Sequence, residues 1–522
     1  MSGARGPDRA VIIGAGMGGL AAAIDLAARG VPVTLVESAP EPGGKMRTLE
    51  AGGAAIDAGP TVLTLRAGFE QLFADAGASL ADHVSLTRAE RLARHAWGDD
   101  QGFDLYPDPE RSVDEAGRFA GAAQARAFAR FLRDGQKLYE ALEPSFLFAS
   151  RPSPPGLTLR MLAQNPAGVT TLRPFSALWD VLGGYFPDAR LRQLYGRYAT
   201  YCGSSPFEAP ATLMMIAALE QQGVWFVDGG MTQLSRAMAG LARALGAQLR
   251  YDTKAEAVLT AHGRVSGVRL AGGEIIAARA VLANGDPDAL RAGCLGPAAA
   301  QAMAPAHGPR SLSAVVWTGV GEAEGFALER HNVFFSGDYR AEFGALFDEQ
   351  RMPDDPTIYI CAQDRGAGPA PRGAERFLIL INAPPDGERR AYGLQETGSW
   401  LTQVKARLRA SGLTLELDAY QTTAPDGFAA RFPGTGGALY GRALHGWRAA
   451  FARPGAKTRL PGLYLAGGGT HPGPGVPTSM LSGRTAARAI LADFASTPRW
   501  RPAGIAGSTP TPSARTDASA SS

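Results

Sequence analysis

Gly14, Gly16 and Gly19 stand in "GAGMGG" at the spacing G-x-G-x-x-G, and Glu37 closes the next apolar run. Three glycines and a carboxylate in that order can hold a dinucleotide. Gly14 permits a tight turn, Gly16 lets the backbone approach a pyrophosphate, and Gly19 lets a helix pack closely on a sheet. The N-terminus of that helix faces the phosphate charge. The Glu37 carboxylate accepts from ribose hydroxyls and repels a 2′-phosphate, which disfavours NADP. NAD and FAD share this arrangement, and "EPGGKMRT" (41–48) separates them. Its glycine pair, Gly43 and Gly44, lets the chain fold over the pyrophosphate from the other side, as in large FAD proteins. Lys45 and Arg47 offset phosphate charge. "DAGPTVLT" (57–64), with Thr61, adds another close backbone turn. No second complete G-x-G-x-x-G follows a strand, which argues against a bound nicotinamide as electron donor or acceptor.

A second glycine- and proline-rich stretch, "AGGGTHPGPGVPTSMLSGR", runs from Ala466 to Arg484. A surface turn needs one or two such residues. This many point to a backbone that comes very close to something. An extended FAD places its flavin far from its adenine, so a separate segment must meet the flavin. Here a strand, a glycine loop and a helix follow one another. Gly468 and the backbone around Gly475, Val476 and Pro477 are expected at the flavin edge, and Thr470 at the ribityl or phosphate. The helix N-terminus favours negative charge on reduced flavin. His471 is a weak candidate for a catalytic base; a structural hydrogen bond within the loop is the other reading.

The elements that must position these residues are legible in outline. Val11–Ile13 reads as a strand, 20–29 as a helix and 32–36 as a second strand, a βαβ start. Residues 66–223 read as mostly helical, and 311–384 carry β-rich runs such as "TIYICA" and "FLILINA". The pattern predicts an α/β chain. A Rossmann-type FAD-binding domain is assembled from 1–65, 225–295 and 455–495. An α+β substrate domain is inserted as 66–224 and 296–454. The tail, 496–522, is Ser/Thr/Pro/Ala-rich and expected to be disordered.

A net charge of +3 over 522 residues, with no Lys/Arg run, argues against nucleic acid. Cys202, Cys294 and Cys361 are far apart and the histidines scattered, so neither a disulfide framework nor a metal site is expected. The run 11–30 resembles a signal segment, but its internal glycines and Asp25 oppose that reading. No transmembrane helix is expected.

Taken in order, "VIIGAGMGGLAAAIDLAARG", "EPGGKMRT", "DAGPTVLT", "GVWFVDGGM" (223–231), "VLANGDP" (281–287) and "AGGGTHPGPGVP" resemble the bacterial-type carotenoid desaturases, relatives of phytoene desaturase. The resemblance spans about residues 8 to 493. It implies the amine-oxidase/GDI-like flavoprotein architecture, with the main chain of Ala255, in "KAEAV", against the adenine. "RYATYCGSSPFEAPATLMMIAALEQQGVWFVDGG", "RHNVFFSGDYRAEF" and "DDPTIYICAQDR" are closest to the branch of 1-hydroxycarotenoid 3,4-desaturases, also called methoxyneurosporene dehydrogenases.

The family reaction removes two hydrogens from an acyclic polyene end group, with hydride passing to flavin N5. The charge left on the substrate spreads along the conjugated chain, so a weak base or water can take the proton. The implied partner is a membrane-dissolved acyclic carotenoid, and the electron acceptor is oxygen, a quinone or another carrier. The implied location is cytoplasmic, with peripheral membrane association. Phe146, Leu147, Phe148, Phe175, Leu178, Trp179 and Trp225 are candidates for an apolar tunnel. Arg197, Tyr198, Tyr201 and Ser204 are candidate partners for a substrate hydroxyl, Arg197 and Tyr201 doubling as weak catalytic candidates. "FSALWDVLGGYF" (175–186), flanked by Arg151, Arg160 and Arg173, reads as an interfacial element or a buried helix. The alternatives are a phytoene-type desaturase, a GDI-like isoprenoid-binding protein without catalysis, and, more remotely, an amine oxidase.

Overall fold

Ala10–Ile13 and Val33–Val36 are short, apolar and bounded by turn residues, and both form strands. They lie in a five-stranded parallel sheet ordered Leu463–Ala466, Ala280–Asn284, Ala10–Ile13, Val33–Val36, Gln248–Arg250. The chain is seen in a computed structural model that describes residues 8–98, 102–143, 173, 175–366, 368 and 371–496. The expected disorder beyond Ser496 lies outside these residues.

A parallel sheet is buried on both faces, and here alternate residues divide between the two covers. Ile12, Leu35 and Leu282 enter a core shared with helices Met17–Ala27, Thr232–Ala244 and Val476–Ser496. Val11, Val36, Val281 and Leu465 turn the other way, onto an antiparallel sheet of Ala255–Ala261, Arg264–Leu270 and Ile275–Ala277. Helix Arg66–Asp75 also belongs to this half, since Phe69, Leu72 and Phe73 join its core.

Helices Met17–Ala27 and Val476–Ser496 touch backbone to backbone. A Cβ added at Gly483 would stand 2.0 Å from Gly18 O, so only hydrogen fits there. Two turns further along the first helix, Asp25 meets Arg484 Nε at 3.0 Å, with the two side chains 3% and 6% exposed. Arg484 also reaches Asp75. The carboxylate that opposed a signal-segment reading is half of a buried ion pair.

The second half is built on a seven-stranded sheet ordered Leu413–Thr423, Ser313–Gly325, Glu375–Ala383, Ile358–Ala362, His331–Phe334, Ala93–Ala96, Gly102–Leu105. All its pairings are antiparallel except that of His331–Phe334 with Ala93–Ala96. Helix Leu394–Ala410 covers one face through Leu401, Val404 and Leu408. A layer of helices, among them Ala122–Leu142, Leu178–Tyr185 and Met215–Gln221, packs around Phe128, Phe131 and Tyr195.

Of the two readings of 175–186, the buried helix is the one observed. Leu178, Val181, Leu182 and Tyr185 all face the core, and of the large apolar residues in the stretch only Phe175 is exposed, at 79%. Arg151, Arg160 and Phe146 to Phe148 lie outside the described residues. Among the described residues no helix is long and apolar enough to cross a membrane.

Candidate active site

A cavity of about 1490 Å³ runs along the junction of the two halves. Pockets for single drug-sized ligands span roughly 300–1,000 Å³, so this one has room for a dinucleotide and a second long molecule. One stretch of wall is the glycine cradle, with Gly14, Gly16, Glu37, Gly43, Gly44 and Ala255. Another is the C-terminal loop, with Gly468, Gly475, Val476 and Pro477. A third is apolar, with Leu142, Leu213, Ile216, Leu219, Leu380 and Trp447 among its members.

The cradle is assembled by close backbone contacts. A Cβ on Gly19 would lie 2.1 Å from Gly14 O, and one on Gly16 would lie 2.8 Å from Asn284 Nδ2. Gly19 is therefore a packing residue behind the wall. Asn284, at the end of its strand, donates to Gly14 O at 3.2 Å and also abuts Gly18 and Gly467. It joins the first glycine loop to the last one. Glu37 accepts from Ala15 N–H at 2.6 Å and from Ala39 N–H at 2.8 Å, which fixes its carboxylate at the strand end. Helices Met17–Ala27 and Val476–Ser496 both begin on this wall, neither with an acidic residue in its first turn. Their leading N–H groups suit anionic oxygens.

Lys45 leaves the cradle for the C-terminal side. Its ammonium donates to Leu439 O and lies 5.4 Å from the Phe432 ring. Burial holds its pKa down, Asp286 opposes that, and Arg453 adds to it. Arg453 is itself buried and donates to Gly468 O at 2.9 Å and Arg442 O at 2.9 Å. These two cations create a positive environment beside the C-terminal loop. Arg47 points into the half built on the seven-stranded sheet, bonding Thr423 Oγ1 at 3.0 Å; burial, helped by Arg431, lowers it to about 10.

Thr470 and His471 are placed behind the loop, not on the cavity wall. Thr470 is 1% exposed, and its hydroxyl oxygen has no hydrogen-bond partner. His471 is 3% exposed, and its N–H donates to Pro454 O at 2.9 Å. Thr61 is on the wall, with its hydroxyl 3.1 Å from Tyr359 OH.

A connected group of polar side chains interrupts the apolar wall. Tyr359 OH lies 2.8 Å from His331 Nδ1, and the Arg197 guanidinium lies 5.2 Å from the Tyr359 ring. Arg197 Nη1 donates to Tyr201 OH at 3.3 Å. Tyr198 OH donates to Glu220. Burial pushes the Glu220 carboxyl up to about 7, against the pull of Tyr198, Arg197 and Tyr201. Burial, with Arg330 and Arg197 nearby, holds His331 down to about 3, so its imidazole is neutral.

Of the tunnel candidates, Phe175 lines the cavity. Leu178 lies in the helical core. Trp179 packs against Phe207 with the rings tilted, and Trp225 sits under Arg66 in a strand that pairs with Leu86–Arg88. Of the hydroxyl-partner candidates, Arg197 and Tyr201 line the cavity. Ser204 is used up in the fold, accepting from Leu444 N–H at 2.8 Å.

The pattern of flavin containing amine oxidoreductases matches residues 17–491. The chain belongs to that family. Within it, the chain is one of the bacterial carotenoid desaturases. It is 46% identical over 515 residues to the hydroxyneurosporene desaturase of Rubrivivax gelatinosus, covering 97% of this chain and 98% of that one. The 1-hydroxycarotenoid 3,4-desaturase of Flavobacterium sp. (strain P99-3) is 29% identical, with 92% and 99% covered. A solved structure of putrescine oxidase bound to putrescine superposes with a TM-score of 0.58 at 15% identity, covering 94% of this chain and 99% of that one, which shows the shared fold.

FAD is the cofactor of these flavin containing oxidoreductases, and the residues present fit it. The cradle has hydrogen where a Cβ would collide, two helix N-termini suit a pyrophosphate and a reduced flavin, and Glu37 stands where a ribose would be read. Family membership also makes the chain a flavin oxidoreductase, in place of the cofactor-free isoprenoid-binding alternative. Sequence reasoning missed Asn284, Arg453, His331, Tyr359 and Glu220 as site residues. Asn284 had a visible signal, a polar residue ending a buried strand before Gly-Asp. Glu220 and Tyr359 had none beyond their residue type.

Proposed function

We propose that this carotenoid desaturase introduces the C3–C4 double bond into acyclic 1-hydroxycarotenoids such as 1-hydroxyneurosporene. The observation that carries the reading is the continuity of the cavity, from the glycine cradle into an apolar wall broken by one polar group. The names of the two relatives above support the substrate class. When bound, FAD supplies the hydride acceptor. The work of the chain is positional: Leu213, Ile216, Leu219 and Leu380 exclude water and orient a long apolar substrate. The proton leaves to water or a weak base, since the charge on the polyene makes the neighbouring C–H acidic.

Peripheral membrane contact belongs to the same proposal. Phe175 is 79% exposed, lines the cavity, and meets Trp447 edge-on at 5.4 Å. This pair supports an opening that takes an apolar substrate from the bilayer surface.

The test is a conversion assay in liposomes with FAD-loaded protein. A red shift of the polyene absorption from 1-hydroxyneurosporene and not from phytoene is expected. Conversion of phytoene in preference would replace this reading with a general phytoene-type desaturase.

A further inference from the structure

Three of the polar side chains on the cavity wall carry complementary hydrogen-bonding capacity. Arg197 and Tyr201 come from the turn Arg197–Cys202, and Glu220 from helix Met215–Gln221. Tyr201 is 36% accessible and lines the cavity. Arg197 spends one donor on Tyr201, at 3.3 Å, and its guanidinium faces the rings of Tyr201 and Tyr359. Glu220 feels the charge of Arg197 and the hydroxyls of Tyr198 and Tyr201. Among the described residues, no salt bridge joins Arg197 to Glu220.

A purely hydrocarbon occupant would bury this donor–acceptor set without matching it, which is unfavourable. A hydroxyl matches it, because one O–H donor and two lone pairs sit on a single atom. Position adds a second argument. A hydroxyl on C1 is separated from C3 by C2 alone, so its anchor must stand beside the place where hydrogen leaves. Loop 57–64 provides that proximity. A Cβ on Gly59 would lie 2.0 Å from Lys45 O in the cofactor half, and Thr61 Oγ1 meets Tyr359 OH, over which Arg197 lies.

We propose that Arg197, Tyr201 and Glu220 form the site that recognises the substrate's C1 hydroxyl, with Glu220 accepting its O–H and Arg197 and Tyr201 donating to its oxygen. The inference rests on reading the substrate as a 1-hydroxycarotenoid. It assigns these residues a further consequence: by holding C1, they select the C3–C4 bond for oxidation.

The experiment compares 1-hydroxyneurosporene with neurosporene, in liposomes, on full-length FAD-loaded protein. The readout is the ratio of kcat/KM for the two substrates. The wild-type chain is expected to favour the hydroxylated substrate by ~10²-fold or more, as sites built around a substrate hydroxyl do. Glu220→Leu and Arg197→Met are expected to reduce that ratio at least ~10-fold, with KM for the hydroxylated substrate carrying most of the change. Tyr201→Phe removes one oxygen and keeps the packing, so it reports even if the other two variants fold poorly. Glu220→Gln keeps an acceptor and is expected to retain part of the preference. An unchanged ratio in folded, flavin-loaded variants of a hydroxyl-preferring enzyme would overturn this site alone. A wild-type chain that shows no preference for the hydroxyl would overturn the substrate reading and the site together.

Discussion

The two halves of the cavity are built by opposite means. The cofactor half is made of backbone: Gly16, Gly44 and Gly468 line it because side chains there would fill the space or strike a neighbour. The substrate half is made of side chains: Leu213, Leu219, Glu220, Tyr359 and Leu380 come from a turn, a helix and two strands. A backbone surface tolerates almost no substitution and always has the same shape. A side-chain surface can be rewritten one residue at a time while the fold stands.

The largest effect should come from breaking the backbone half. Gly19→Val would put a branched side chain where even a Cβ stands 2.1 Å from Gly14 O. The purified variant is expected to lack visible flavin absorption and all turnover. If it binds FAD one to one, the contrast drawn here fails. Next comes the clasp behind that half. Arg484→Leu leaves the buried Asp25 carboxylate with only the half-exposed Arg29 as its counter-charge and should lower stability by about 3 kcal/mol in denaturant titrations. Arg484→Leu combined with Asp25→Leu should recover most of the loss, because the charges left behind, on Arg29 and Asp75, reach solvent.

A smaller effect separates stability from recognition in the side-chain half. Folding raises the Glu220 carboxyl to about 7 through burial. Its contribution to stability is complete below about pH 4 and is lost as pH rises through about 7. Glu220→Gln mimics the neutral form. It should therefore stabilise the protein by about 1 kcal/mol above pH ~7, after discounting for partial exposure, and leave it unchanged near pH ~4. Recognition runs the other way: KM for the hydroxylated substrate should rise as pH falls through about 7. Arg197, Tyr198 and Tyr201, the groups facing Glu220, do not titrate in that range. A KM that stays flat or falls as pH drops through about 7 would contradict the assignment. The smallest effect is expected at Phe175, 79% exposed: Phe175→Ser should change stability by no more than about 0.5 kcal/mol. Its readout is the binding of substrate-free liposomes, which should weaken.

This difference in construction also decided what could be read from the chain. Gly14, Gly16, Gly43 and Gly475 announce themselves because close approach or a positive φ favours glycine there. The tunnel gave no such signal. Trp179 and Trp225 have the bulk and apolarity expected of tunnel walls, yet they pack on Phe207 and under Arg66. A hydrophobic residue looks the same to the sequence whether it meets a ligand or a neighbour. The parallel pairing of Ala93–Ala96 with His331–Phe334 joins segments far apart in the chain, and no local pattern encodes it. Glu220 was hidden for a related reason. On a seven-residue helix it reads as an ordinary surface carboxylate, and only its placement between Tyr198, Tyr201 and Arg197 changes its chemistry.

The contact between helices Met17–Ala27 and Val476–Ser496 bears on how the protein is made. Synthesis runs from the N-terminus, so the first glycine loop leaves the ribosome long before Gly483 and Arg484. Until they arrive, Asp25 has Arg29 alone as its counter-charge, and the second glycine loop has nothing to close against. A nascent chain can shape one lip of the cradle early, but the second lip is added only with residues 466–484. A chain cut before Gly467 is expected to stay colourless, so the yellow of bound flavin would report that the two loops have met.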